Sequence, residues 1–193
     1  MDMSVGHRAV RVVLAHGASG TAASMRPYVD GLRARGVEAV AIDLPKRKAE
    51  DAVPAYLAAL TGVTPMPGGA RLIIGGQSYG GRVASLLCAG VNVPARSMPD
   101  LAGLVCFCYP LHLPGKPERG LRSEHWPQIA LPTLILQGES DPFARIGLLR
   151  GELPRLADGR LQTWPGIGHG LGPVLDEALD AVVTWLDEVV LAP

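Results

Sequence analysis

Apolar residues follow two alternating rhythms along this chain. Residues 9–15, Ala-Val-Arg-Val-Val-Leu-Ala, form a nearly continuous aliphatic run, the pattern of a parallel strand buried on both faces. Similar runs recur at residues 37–44 (stopped by Pro45), 71–75, 101–108, 131–137 and 160–164. Between them the apolar positions take the helical period. One helix is predicted over 24–35, with Ser24 as N-cap and Gly36 as the stop. Others are predicted over 50–60, over 81–89 (closed by Gly90) and, in broken form, over 143–156. The last, over 174–191, repeats Val174/Leu175, Ala178/Leu179, Val182/Val183, Leu186 and Val189/Val190, a stripe suited to lying on a sheet. Residues 62–69, rich in glycine and proline, read as a loop.

Strands alternating with helices point to an α/β fold. The expectation is a three-layer α/β/α arrangement with a mainly parallel sheet of about six strands. Right-handed crossovers favour the strand order 2-1-3-4-5-6. No internal repeat or linker divides the chain, so residues 1–193 are expected to form one domain. In such sheets the functional site lies at the carboxyl ends of the strands, and every candidate for chemistry comes just after one.

After the third strand runs Gly76-Gln77-Ser78-Tyr79-Gly80, with no room for an ordinary loop before the next helix. Glycines two before and two after the serine let strand and helix approach closely, while Ser78 sits on a strained turn with its hydroxyl exposed. A serine hydroxyl is a weak nucleophile and needs a base. Of five histidines, His169 lies after the last strand, between Gly168 and Gly170, where a loop presents it across the sheet. The acid that orients such a histidine is expected after the fifth strand, at Asp141, with Glu139 as its rival. A developing oxyanion needs backbone donors: Tyr79, and Gly17 or Ala18 in the turn after the first strand. His16 then either braces that turn or lines the site.

Composition narrows the partners. Hydrophobic residues make up 48 % of the chain and charged residues 19 %, with 18 basic and 18 acidic side chains. The longest like-charge run, Lys46-Arg47-Lys48, reads as a solvated loop. Neither nucleic acid nor an anionic membrane is expected as a partner, because both need a clustered basic footprint. No apolar run reaches the roughly 18 residues that cross a bilayer, and residues 1–8 show no signal-peptide pattern. Cys88, Cys106 and Cys108 are an odd set without metal-ligand spacing; Cys106 and Cys108 are expected on one strand face as small buried hydrophobes. A cytoplasmic chain, monomeric or homodimeric, is the expectation.

Together these segments resemble the α/β-hydrolases. The general marks are His16-Gly17-Ala18-Ser19-Gly20, the turn at Ser78, Gly138-Glu139-Ser140-Asp141 and Gly168-His169-Gly170. More narrowly, the stretch from Cys108 and Tyr109 through Pro110-Leu111-His112-Leu113-Pro114-Gly115-Lys116-Pro117 is similar to one in a small lidless group. That group is related to the dienelactone hydrolases and to the testis-expressed and NSL-complex hydrolase-like proteins. The chain order Ser78, Asp141, His169 is the order of that fold. Dienelactone hydrolases proper use a cysteine where this chain has Ser78. The resemblance implies no metal and no cofactor, and no P-loop or dinucleotide motif is present. It also implies an open site, since residues 108–131 hold no insertion large enough for a helical lid.

Residues 109–126 carry His112, Lys116, Arg119, Arg122 and His125. They form either a recognition loop for an acidic group or a proline-stiffened surface loop. His16, Ser19, Tyr109, His112 and Lys116 are the side chains expected near a substrate. The chain is thus expected to be a serine hydrolase of small or medium acyl esters or thioesters. The alternatives are acyl transfer by the same residues and a catalytically silent interaction module. Hydrolysis should increase with pH as the histidine base loses its proton.

Overall fold

The computed structural model describes residues 10–63, 70–94 and 97–190. Six strands, β1 (Val10–Ala15), β2 (Glu38–Ile42), β3 (Arg71–Gln77), β4 (Gly103–Phe107), β5 (Thr133–Gly138) and β6 (Gly159–Trp164), form one sheet. Their order is β2-β1-β3-β4-β5-β6 and all five pairings are parallel, as the sequence predicts. The helices are α1 (Arg26–Ala34), α2 (Ala49–Val63), α3 (Tyr79–Cys88), α4 (Ile146–Glu152) and α5 (Leu175–Trp185). No helix among the described residues is long and apolar enough to cross a membrane.

Strand alternation sorts the core into two layers. Val13, Ala15, Ile74 and Ile135 face α2, α3 and α4, packing on Tyr56, Leu87 and Leu149. Val12, Leu14, Ile73, Phe107 and Leu136 face α1 and α5, packing on Leu32, Val182 and Trp185. Both faces of the central strands are therefore apolar, which is why they read as continuous runs.

Several boundaries differ from expectation for local reasons. Ser24 does not cap α1: it lies in a 3₁₀ turn, Ala22–Met25, and its hydroxyl donates back to the Thr21 carbonyl at 2.6 Å. α1 begins at Arg26 with Pro27 in its first turn, where the missing N–H is harmless. α2 runs through Pro54, which leaves the Glu50 carbonyl without its helical donor; the Asn92 side-chain amide fills it at 2.9 Å. α5 ends in a wide π turn, Leu186–Val190. The ends of the predicted first strand (Ala9) and last helix (Leu191), and most of the 62–69 loop, lie outside the described residues.

Cys106 and Cys108 do not share a face. β4 ends at Phe107, and Cys108 takes φ 54°, which swings its side chain into the layer opposite Cys106. Between Cys108 and Leu131 the chain forms single 3₁₀ turns, Pro117–Arg119 and Trp126–Gln128, and no α-helix.

Tyr56 ties α2 to the centre of the sheet. Its hydroxyl is fully buried, lies 2.8 Å from the carbonyls of both Val13 and Gly75, and accepts the Gly75 N–H at 3.1 Å. Burial drives its ionisation far above the ordinary phenol range. Tyr56→Phe removes these bonds to β1 and β3 and should cost about 1–3 kcal/mol, seen as a lower urea midpoint at unchanged m-value.

Candidate active site

The turn between β3 and α3 is a single residue, Ser78, at φ 49° and ψ −110°. It is short because there is no space for anything longer. A Cβ on Gly76 would stand 2.3 Å from the Ala15 carbonyl oxygen, and one on Gly80 2.2 Å from the same atom. Both ends of the turn press on the last residue of β1. The Ser78 N–H donates to the Phe107 carbonyl at 2.8 Å, fastening the turn to β4. Its side chain has only the space above the strand ends left to enter.

There Ser78 Oγ meets the histidine brought by the loop after β6. His169 Nε2 lies 2.8 Å from Ser78 Oγ, and His169 Nδ1 lies 2.7 Å from Asp141 Oδ2. Asp141 has a fully buried side chain and two further donors: the Phe143 N–H on Oδ1 at 2.8 Å and Gln137 Nε2 on Oδ2. Those bonds fix the carboxylate before the histidine adds its own. With Asp141 accepting at Nδ1–H, Nε2 is the nitrogen free to accept the serine proton. Glu139 is turned away, held by Arg150 at 2.7 Å and by the Thr163 hydroxyl at 2.8 Å.

Ala18, Ser78 and Tyr79 line one cleft of about 280 Å³. The Tyr79 N–H opens α3, where no intrahelical acceptor exists. Gly17 is not in that lining; its carbonyl accepts from Gly20 N at 2.9 Å and from His16, closing the turn. Phe143 completes the far wall and stacks on His169, ring centroids 4.2 Å apart.

Of the side chains expected near a substrate, none lines this cleft. His16 is buried: Nδ1 donates to the Gly17 carbonyl at 2.7 Å and Nε2 accepts the Leu44 N–H at 3.0 Å. His112 repeats the device, donating to the Leu113 carbonyl at 2.8 Å and accepting the Arg145 N–H at 2.9 Å. Each is a brace between two loops. Tyr109 is also buried, its hydroxyl donating to the Arg122 carbonyl at 2.6 Å. Ser19 and Lys116 are exposed, outside the cleft.

The cleft instead holds Arg47, Lys48, Arg82 and Arg122. Only Arg122 belongs to the loop expected to recognise an acid, and Arg47 and Lys48 had read as a solvated run. The roles of Gln137 and Phe143 also had no signal in the sequence, because each depends on a partner reached only by folding.

Cys108, Asp141 and His169 place potential ligand atoms within 4.8 Å of one another. Two of the three are already bonded to each other. Burial and the Asp141 charge push the Cys108 thiol up to about 12, so it stays protonated and a poor ligand.

Residues 8–174 match the alpha/beta hydrolase domain family, and the chain belongs to it. Its fold is shared with Est1E from Butyrivibrio proteoclasticus, at TM-score 0.76 and 15 % identity over 95 % of this chain and 89 % of that one. Esterase Est2 from the planctomycete Thermogutta terrifontis, solved with propionate bound, gives TM-score 0.74 at 18 % identity over 95 % and 85 %. DcsB, solved with a substrate analogue, gives 0.75 at 12 % over 94 % and 91 %.

His125 lies behind the cleft, its Nε2 2.8 Å from Ser85 Oγ. Burial first, then the Arg82 charge, pushes its imidazole from 6.5 down to about 4. Between those values the unfolded chain binds a proton that the folded chain does not, so stability falls as pH drops through that window. His125→Gln should flatten this dependence, measured by urea unfolding at pH 7, 5.5 and 4.5.

Proposed function

We propose that this chain is a serine hydrolase of small or medium acyl esters or thioesters, with Ser78, His169 and Asp141 as its triad. The observation that carries the reading is the unbroken hydrogen-bond chain from Ser78 Oγ through His169 to Asp141, at 2.8 and 2.7 Å. Membership of the alpha/beta hydrolase family supports it, as do two structural neighbours, one solved with ferulic acid bound and one described as an esterase and solved with propionate.

Ser78 Oγ attacks the carbonyl carbon as its proton passes to His169 Nε2. Asp141 stabilises the imidazolium without taking the proton. The oxyanion is received by the backbone N–H groups of Tyr79 and Ala18, where preorganised donors act on charge that appears only in the transition state. Collapse expels the alcohol or thiol, which leaves with the proton from His169. Water then attacks the acyl-serine, giving its proton to His169, and the acid departs as Ser78 regains its hydrogen.

A fluorophosphonate probe should label the wild type and not Ser78→Ala. On p-nitrophenyl butyrate, Ser78→Ala should lose on the order of 10⁶ in kcat and Asp141→Asn on the order of 10⁴. Equal labelling of wild type and Ser78→Ala would overturn the assignment.

A further inference from the structure

The cleft beside Ser78 carries more positive charge than the rest of the molecule explains. Across the chain, 18 basic side chains balance 18 acidic ones. Yet among the ten residues lining this cleft are Arg47, Lys48, Arg82 and Arg122, and no carboxylate. These four come from the loop after β2, from α3 and from the loop after β4, so no single charge run produces the cluster.

Arg82 is ion-paired with Glu50 of α2, while its buried Nε has no hydrogen-bond partner. Arg122 is half-buried, and among the described residues its guanidinium makes a single hydrogen bond, a long contact of 3.4 Å to the Pro110 carbonyl. Among the described residues none of Arg47, Lys48 and Arg122 has a carboxylate within ion-pairing distance. Burial and the neighbouring Arg82 charge both act against the Arg122 cation, so like charges are held together here with Glu50 as partial relief. Such an arrangement favours an anion entering the cleft, and guanidinium groups suit a carboxylate because they can bind it with two hydrogen bonds.

The side of the serine on which this charge lies matters. A leaving alcohol must sit beside His169 to receive its proton. The cleft is lined by Ala18 and Tyr79, the candidate oxyanion donors, and His169 is not among its lining residues; Phe143, which is, stacks on His169. The group held among the cations is therefore the acyl part, which stays on Ser78 when the alcohol leaves. About 280 Å³ admits a short chain.

We propose that the enzyme selects esters whose short acyl chain ends in a carboxylate, the half-esters of small dicarboxylic acids, with Arg122 and Arg82 as the recognising residues and Arg47 and Lys48 adding field at the mouth. This inference rests on the hydrolase reading above.

The test compares kcat/KM for mono-p-nitrophenyl glutarate and p-nitrophenyl valerate, which match in chain length and differ in the terminal charge. Wild type should prefer the glutarate ester by about tenfold or more, and Arg122→Gln should lower that ratio by about tenfold. Arg47→Gln/Lys48→Gln, two exposed changes that do not threaten folding, should lower it less, and Arg122→Lys should restore part of it. Raising salt should reduce the wild-type ratio. A wild-type preference for valerate, or a ratio unmoved in both the Arg122 and the Arg47/Lys48 variants, overturns the anion reading while leaving the hydrolase reading intact. Hydrolysis of neither ester, with no fluorophosphonate labelling, overturns both.

Discussion

The close approach of β3 and α3 to the end of β1 is the constraint from which the site follows. Gly76 and Gly80 both lie against the Ala15 carbonyl at distances no Cβ could share. Strand and helix therefore meet with one residue between them, and that residue must leave the ordinary backbone regions. Ser78 does so at φ 49°, held by its N–H on Phe107. Strain of this kind costs on the order of 1–3 kcal/mol. It persists because the core packed on either side of the sheet leaves the turn no alternative.

The partners of Ser78 are positioned by the same sheet. Parallel pairing sends every strand's carboxyl end to one edge, so the loops after β1, β3, β5 and β6 converge there. Those loops are short and are held by histidine side chains as well as by backbone bonds. His16 joins the turn after β1 to Leu44, and His112 joins the loop after β4 to Arg145. Each spends both ring nitrogens on the backbone, which removes it from chemistry and leaves His169 as the histidine on Ser78. Burial likewise keeps Cys108 protonated beside Asp141 and His169.

Much of this was legible before folding because the signals are local. Strand runs, helix stripes and the glycines around Ser78 all lie within a few residues of what they specify. The strand order followed from the handedness of crossovers, and it agrees with the sheet. Boundaries were less legible where a side chain had two uses. Ser24 looked like a cap, but its hydroxyl bonds the preceding turn, and Cys108 continued an apolar run that its own backbone ends. The sequence favours Asp141 over Glu139, although both follow β5. The structure places Asp141 against His169, while Arg150 and Thr163 hold Glu139 from other elements.

The sequence by itself determined the α/β class, the strand order and the residue types available for chemistry at each strand end, because hydrophobic period and turn chemistry act over short range. Only the tertiary structure decided which polar side chains share a space. It withdrew His16, Tyr109 and His112 into the framework and brought Arg47, Lys48, Arg82 and Arg122 to the same cleft. A charge or an imidazole is defined by what surrounds it, and those surroundings come from elements far apart in the chain.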